Sequence, residues 1–163
     1  MRLRPATEAD DLEIAAVVTA AFGRADEAKL VRLLNRDGDA VISLIATEGE
    51  TIIGHVLLSR MSAPFSALGL APVSVLPAHQ SQGVGAALIR EAIAQAGQTD
   101  VVAIFVLGDQ RYYGHFGFDV EAAKGFTCAY RGPHFAVLPL KRPLPEITGD
   151  VAYAKAFDEA FSD

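Results

Sequence analysis

Cysteine is almost absent from this chain of 163 residues, and so are runs of basic residues and long apolar segments. The single cysteine, Cys128, excludes an intrachain disulfide, and no apolar run typical of a signal peptide follows Met1. The longest apolar stretches, such as 101–107, fall far short of the roughly 20 residues that cross a bilayer. We therefore expect a cytoplasmic protein without a membrane partner.

The charge balance is acidic, with 20 Asp and Glu against 14 Lys and Arg and a net charge of −6. A chain without clusters of Lys or Arg offers no surface for a phosphate backbone, so nucleic acid is not an expected partner. Hydrophobic residues make up 51% of the sequence, which excludes a disordered or fibrous chain. The length corresponds to one domain of roughly 100–200 residues.

Hydrophobic periodicity predicts an α/β fold. Helices are predicted at 12–22, 26–34, 83–96 and 110–116, and strands at 40–47, 51–60, 68–76, 101–106, 118–122 and 134–140. The helix at 83–96 joins strands 68–76 and 101–106, so these strands should be parallel. Pro72 has no N–H for the ladder, which predicts a bulge or a loss of pairing at that point.

The last part of the chain, 143–163, is predicted to form a tail that begins around Pro143, Pro145 and Ile147. Three aromatic residues, Tyr153, Phe157 and Phe161, recur every four positions, which is typical of an amphipathic helix. We expect this helix to pack on the domain formed by residues 1–142. A helix that binds a partner is the alternative.

A glycine-containing segment, Gln80-Ser81-Gln82-Gly83-Val84-Gly85, leads from strand 68–76 into the helix at 83–96. The first N–H groups of a helix have no partner within it, and they bind anions together with the helix dipole. Glycines at 83 and 85 would let a pyrophosphate approach, or they serve only a tight turn. The dinucleotide fingerprint fits poorly, because Leu88 stands where its third glycine should be, and no Lys-Ser or Lys-Thr pair follows a glycine.

The pattern Gln80-x-x-Gly83-x-Gly85, after a strand that ends in Val75-Leu76-Pro77, resembles the pyrophosphate loop of the GNAT superfamily of acyl-CoA-dependent N-acyltransferases. A later segment, Tyr113-x-x-x-Gly117-Phe118, resembles a second motif of that family and a bacterial subfamily of predicted N-acetyltransferases. The order of elements agrees over about residues 1–140. The resemblance implies one α/β domain with about four helices and a mixed sheet of about seven strands, splayed between the fourth and fifth.

The resemblance also implies a reaction: transfer of an acyl group, most often acetyl, from acyl-CoA to a primary amine of a small molecule or protein. The transfer is direct, within a ternary complex, and needs no metal. The pantetheine arm pairs with the splayed strand, and the loop binds the pyrophosphate. The residues that this implies for acyl-CoA binding are Val73, Val75, Leu76, Gln80, Gln82, Gly83, Val84, Gly85, Ala86 and Ala87. A homodimer is left open.

The acceptor amine must lose a proton, because an alkylamine with a pKa near 10.4 is only about one part in 10³ neutral at pH 7. The glutamate that the family places on the central strands is missing, since residues 51–75 contain no Asp or Glu. His55 is the leading substitute as general base, directly or through water, and a core histidine is the alternative. Tyr113 is the candidate acid for the leaving thiolate.

Two functions of other classes compete with this interpretation. An acyl-CoA sensor or interaction module without catalysis could use the same fold, and the missing carboxylate base favours it. A nucleotide-binding oxidoreductase is disfavoured by Leu88 and by the helices and strands that precede the glycine motif. An acyl-enzyme at Cys128 is not expected, because no histidine lies beside it in the sequence and the family transfers directly.

Overall fold

The computed structural model describes residues 1–129, 134–141, 144–145 and 148–162. The predicted domain boundary at 142–143 and residues 143, 146, 147 and 163 of the predicted tail lie outside this part. Within it the α/β prediction is confirmed: five α-helices accompany a mixed sheet of six strands and a separate parallel pair of short strands. Across the described residues, none of the helices has the length and apolar character that crossing a membrane requires.

The predicted helices appear with small shifts at their ends, and a fifth follows in the tail. The helices are α1 Asp11–Phe22, α2 Asp26–Arg36, α3 Val84–Gly97, α4 Gln110–Tyr113 and α5 Lys155–Phe161. The strands are β1 Arg2–Pro5, β2 Ala40–Glu48, β3 Thr51–Met61, β4 Ala67–Val75, β5 Ala103–Leu107, β6 Phe126–Thr127, β7 Phe135–Pro139 and β8 Gly149–Asp150. The six-stranded sheet has the order β1-β2-β3-β4-β5-β7, and β6 pairs with β8.

Two parts of the sheet differ from the sequence prediction. The short strand β1 pairs antiparallel with β2, although three of its four residues are exposed and no strand is predicted there from the sequence. The predicted strand at 118–122 is wrong, since only one bridge forms there, between Asp119 and Val137. The Asp119 side chain accepts the N–H of Glu121 at 2.9 Å and turns the chain into a 3₁₀ helix, which ends the pairing.

The sheet opens between β4 and β5, as predicted. The parallel pairing covers three residue pairs and ends at Gly69 and Phe105. Strand β4 continues for six more residues to Val75, paired on its other edge with β3. Pro72 lies in this unpaired stretch, where its missing N–H costs no ladder bond with β5. The register of β3 and β4 also shifts between Val56 and Leu58.

Helices cover both faces of the sheet. Helix α3 packs on one face through buried residues such as Leu88 and Ile89. Helices α1, α2 and α5 cover the other face, where Phe157 of α5 joins a cluster with Leu30 and Leu34 of α2. Gly23 ends α1 in the left-handed conformation, with φ of 69°, and turns the chain toward α2. The fold thereby brings the end of α1, the start of α2 and helix α5 to the face where β4 leaves β5.

Candidate active site

The start of α3 presents free backbone donors beside the end of β4. Gly83 precedes the helix in the left-handed conformation, with φ of 85°, which glycine adopts without strain. The N–H groups of Val84, Gly85 and Ala86 open the helix, where no carbonyl four residues earlier lies within it. The N–H of Ala87 donates to the Gly83 carbonyl at 3.0 Å. It is therefore not free to bind an anion, although the sequence analysis included Ala87 among the acyl-CoA-binding residues.

Gly85 allows the close approach of three elements at this point. A Cβ atom on Gly85 would lie 3.3 Å from the hydroxyl oxygen of Tyr112 and 3.6 and 3.8 Å from the side chains of Val75 and Val73. A Cβ on Gly83 would meet no atom within 4 Å. The two glycines therefore serve different structural purposes. Gly83 allows the turn before α3, and Gly85 leaves room for Tyr112, Val75 and Val73.

The end of β4 has backbone groups that face the opening of the sheet. The Leu76 N–H donates to the Ile53 carbonyl of β3 at 2.9 Å, so it is not available to a ligand in the opening. Successive N–H groups of an extended strand point to opposite edges, which directs those of Val75 and Val73 away from β3. The Gln80 side chain donates to the Val75 carbonyl at 3.0 Å and thereby ties the loop to the strand.

A cavity of about 570 Å³ opens where β4 and β5 separate, and we call it the splay pocket. Its described lining residues are Phe22, Arg24, Glu27, Leu30, Leu70, Ala71, Pro72, Val73, Leu107, Tyr113, Tyr153, Phe157 and Phe161. They come from α1, α2, β4, β5, α4 and the C-terminal segment. A larger groove of about 760 Å³ lies between α1 and α2, but no residue of β4, α3 or α4 lines it. The splay pocket is therefore the cavity that contains predicted site residues, Val73 of β4 and Tyr113 of α4, although no described residue of α3 lines it.

Tyr113 lines the splay pocket from the short helix α4. Asp109 caps this helix by accepting the N–H of Arg111 at 2.9 Å. The Tyr113 ring packs edge-on against Tyr112 and Phe118, with ring centroids 5.1 and 5.9 Å apart. Burial raises the pKa of Tyr113 to about 12, so the hydroxyl remains a hydrogen-bond donor at any physiological pH.

Two opposite charges lie at the wall of the splay pocket. Glu27, at the start of α2, is only 7% exposed, and its carboxylate accepts hydrogen bonds from Nε and Nη2 of Arg24. The guanidinium of Arg24 also lies 5.8 Å from the ring centroid of Phe161. Arg24 therefore bridges α2 and the end of α5 across the pocket. The carboxylate of Asp26 lies 3.8 Å from the third nitrogen of Arg24.

His55 lies inside the protein rather than on a free surface. Its side chain is fully buried on β3, and its Nε2 lies 2.9 Å from the Ser43 hydroxyl. Burial lowers the pKa of His55 to about 4, so the ring is neutral at pH 7. An enclosed imidazole does not touch an amine in the pocket. His55 was predicted to act as general base either directly or through water, and of these two only action through water is compatible with its enclosed position.

Acid should destabilise the protein through His55. Because the pKa of His55 is about 4 in the folded chain and 6.5 in an unperturbed histidine, the unfolded chain binds an extra proton between these values. The contribution of His55 to the free energy of unfolding is complete above pH 6.5. It falls by up to about 3 kcal/mol as the pH drops toward 4.

Urea unfolding from pH 7 to pH 4 measures this loss. We expect His55→Gln to flatten the pH dependence relative to the wild type. Equal pH slopes in the wild type and His55→Gln would show that burial of this ring does not control acid stability.

Cys128 is buried in a cluster with Phe105, Phe126 and Phe135, and it does not line the splay pocket. Among the described residues, no group of three or more His, Cys, Asp or Glu side chains is arranged to hold a metal ion. The chemistry available among the described lining residues is therefore that of backbone donors, two tyrosines and one Arg–Glu pair.

The chain belongs to the acetyltransferase (GNAT) family, whose family model matches residues 12–118. Among curated proteins it is similar to the uncharacterized N-acetyltransferase YjhQ of Escherichia coli (strain K12), with 36% identity over 135 residues, 77% of this chain and 74% of that protein.

Two solved structures are similar over nearly the whole chain. One is the GNAT family N-acetyltransferase YhbS from Escherichia coli in complex with CoA, with 30% identity and a TM-score of 0.89 over 96% of this chain and 91% of that one. The other is a GNAT family acetyltransferase from Brucella melitensis in complex with acetyl-CoA, with 33% identity and a TM-score of 0.83 over 96% of this chain and 97% of that one.

Several pocket residues were not predicted from the sequence, above all Arg24 and Glu27. One signal for Glu27 was present. It precedes Leu30, Val31 and Leu34 by three, four and seven positions, which places a carboxylate on the apolar face of α2. A charged residue on such a face is buried only when it is paired, and the preceding Arg24 is its partner.

Proposed function

We propose that the protein is an N-acetyltransferase that moves an acetyl group from acetyl-CoA directly to a primary amine. One observation carries the proposal: Val73, on the unpaired edge of β4, lies beside Gly85 at the open start of α3 and also lines the splay pocket together with Tyr113. Two relatives of at least 30% identity were crystallised with CoA or acetyl-CoA, which supports acyl-CoA as the cosubstrate.

In this proposal the backbone of the chain holds acetyl-CoA. The pyrophosphate lies at the start of α3, where the N–H groups of Gln82 to Ala86 and the helix dipole favour negative charge. The pantetheine arm pairs with the free edge of β4 at Val73 and Val75. The Val75 N–H then takes the role of donor to the thioester oxygen as negative charge develops, since the Leu76 N–H is bonded to β3.

The amine enters from the splay pocket and attacks the thioester carbon. A carbon–nitrogen bond forms, the carbon–sulfur bond breaks, and the electron pair of that bond leaves on the CoA sulfur. The nitrogen loses its proton to solvent, because a His55 ring with a pKa of about 4 is too weak a base to accept it, and the sulfur gains a proton. The products are the acetylated amine and CoA with a free thiol.

Tyr113 assists the departure of sulfur by hydrogen bonding. A thiol has a pKa near 8.5, so full proton transfer from a hydroxyl with a pKa of about 12 is unfavourable by several kcal/mol. A hydrogen bond from that hydroxyl stabilises the developing thiolate without this cost. The high pKa of Tyr113 therefore favours a donor role over that of a full acid.

Acetyl-CoA should raise the melting temperature of the protein far more than NADH or ATP does. A ligand that binds only the folded state at 100 times its dissociation constant adds about 2.7 kcal/mol to the free energy of unfolding. Differential scanning fluorimetry with the three ligands at equal concentration measures this. If NADH or ATP stabilises the protein and acetyl-CoA does not, the loop binds a nucleotide in another way and the proposal fails.

A second candidate is an acyl-CoA sensor, which the absence of an acid from residues 51–75 and the enclosed position of His55 favour. Release of free CoA separates the two candidates. The transferase produces it steadily in the presence of an amine, and the sensor binds acetyl-CoA without consuming it.

A further inference from the structure

The mouth of the splay pocket carries exposed apolar side chains from three separate elements. Seven large hydrophobic residues are exposed in the described part of the chain, and three of them, Phe22, Leu107 and Phe161, line this pocket. They stand at the ends of α1, β5 and α5, far apart in sequence. Single exposed apolar residues are common on protein surfaces, whereas a group around a cavity indicates a binding site.

The lining of the pocket is mostly apolar, and its charged groups stand at one place. Of its 13 described lining residues, 11 are apolar or aromatic, and the other two are Arg24 and Glu27. Such a pocket binds the body of a ligand by burial and fixes its orientation by the few polar groups present. A volume of about 570 Å³ suits a small molecule rather than a folded partner.

The charges favour a cation over an anion. Arg24 is already balanced by Glu27 and Asp26, and its guanidinium face lies over Phe161. The three charged groups together carry one net negative charge. A carboxylate offers about four lone-pair positions, and Arg24 uses one on each oxygen of Glu27. Glu27 therefore retains acceptor capacity for an ammonium group, and the net negative charge of the three groups disfavours a ligand carboxylate.

We propose that the acceptor is a small primary amine with an apolar or aromatic body and no acidic group, and that Glu27 binds its ammonium group while Phe22, Leu107 and Phe161 hold its body. This inference rests on the proposed N-acetyltransferase function. The body enters between α1 and α5, and the amine is directed inward toward Val73 and Tyr113, which line the same pocket.

A matched set of amines tests the inference on the full chain with saturating acetyl-CoA. Phenethylamine is compared with phenylalanine, which adds only a carboxylate beside the amine, and with ethanolamine, which lacks the apolar body. We expect kcat/KM for phenethylamine to exceed each of the other two at least tenfold. A preference for phenylalanine or ethanolamine, or the absence of transfer to phenethylamine, overturns the inference.

Two pairs of variants test the residues. Glu27→Gln should raise KM for phenethylamine at least tenfold and leave acetyl-CoA affinity unchanged, while Glu121→Gln, which removes the same charge from an exposed side chain outside the pocket, should change KM less than twofold. Phe161→Ala should raise KM for phenethylamine several-fold, whereas Leu12→Ala, at a more exposed residue outside the splay pocket, should not. Equal effects within either pair overturn the inference.

The failure of the inference and that of the proposed function give different results. Transfer to ethanolamine or phenylalanine, with poor transfer to phenethylamine, overturns the inference and leaves the N-acetyltransferase standing. A protein that does not bind acetyl-CoA overturns both. If the apolar mouth instead contacts a second copy of the chain, Phe161→Ala converts a dimer to a monomer in sedimentation without changing KM for phenethylamine, and the inference is again overturned.

Discussion

Replacing Tyr113 with Phe should lower maximal turnover at least tenfold and change acetyl-CoA affinity less than tenfold. The substitution removes one hydroxyl and keeps the ring, whose edge-on contacts with Tyr112 and Phe118 hold α4 in place. The rate loss therefore reports the hydrogen bond that the hydroxyl gives to the leaving sulfur. Contributions of this kind are typically worth 10²–10⁴-fold, and a donor with a pKa of about 12 belongs at the lower end. Steady-state kinetics with an accepted amine measures both quantities.

The neighbouring tyrosine provides the matched comparison. The Tyr112 hydroxyl lies next to Gly85, at the start of α3, rather than in the splay pocket. Tyr112→Phe should therefore act on acetyl-CoA affinity more than on turnover. If Tyr112→Phe abolishes turnover and Tyr113→Phe is silent, the match to the family's Tyr-x-x-x-Gly-Phe segment is wrong by one residue.

Replacing Gly85 with Val should weaken acetyl-CoA binding at least tenfold, or about 1.4 kcal/mol. A Cβ at this position already lies 3.3 Å from the Tyr112 hydroxyl, and two further methyl groups would crowd Tyr112 and the end of β4 at Val73 and Val75, where the pantetheine arm is proposed to pair. Calorimetric titration with acetyl-CoA measures the affinity, and urea unfolding measures the stability.

Gly97 is the control, because it lies in the same helix and a Cβ there would meet no atom within 4 Å. Gly97→Val should leave acetyl-CoA affinity unchanged. A Gly85→Val variant that is destabilised but binds acetyl-CoA normally would show that the glycine serves packing alone.

The parts of the fold that follow from local sequence signals were predictable. Helix α3 could be predicted because its apolar face and the glycines at its ends can be identified within one short segment of the sequence. Pro72 predicted a bulge or a loss of pairing, since an amide without a proton cannot extend the ladder, and both the register shift with β3 and the end of the pairing with β5 occur near it. The same locality explains the error at 118–122, where the Asp119 side chain competes for a backbone N–H and turns an apolar segment into a 3₁₀ helix.

The acceptor side of the candidate site depends on long-range packing and could not be predicted in the same way. Phe22, Leu107 and Phe161 each belong to an ordinary amphipathic or apolar pattern, and nothing in these patterns shows that the three meet. Burial of His55 was equally hidden. The sequence does not show which face of the sheet a histidine on a central strand occupies. Only the packing of α1, α2 and α5 on one face buries His55 and lowers its pKa.

Transfer of labelled acetyl is the measurement that tests the central claim most directly. The protein is incubated with acetyl-CoA that carries ¹³C in the acetyl group and with a mixture of primary amines, and free thiol and labelled amide are followed together. The account predicts one labelled amide per CoA released, and a rate that falls at least tenfold in Tyr113→Phe. Binding of acetyl-CoA with neither thiol release nor labelled amide, in the wild type, would contradict it and leave a protein that only senses acyl-CoA.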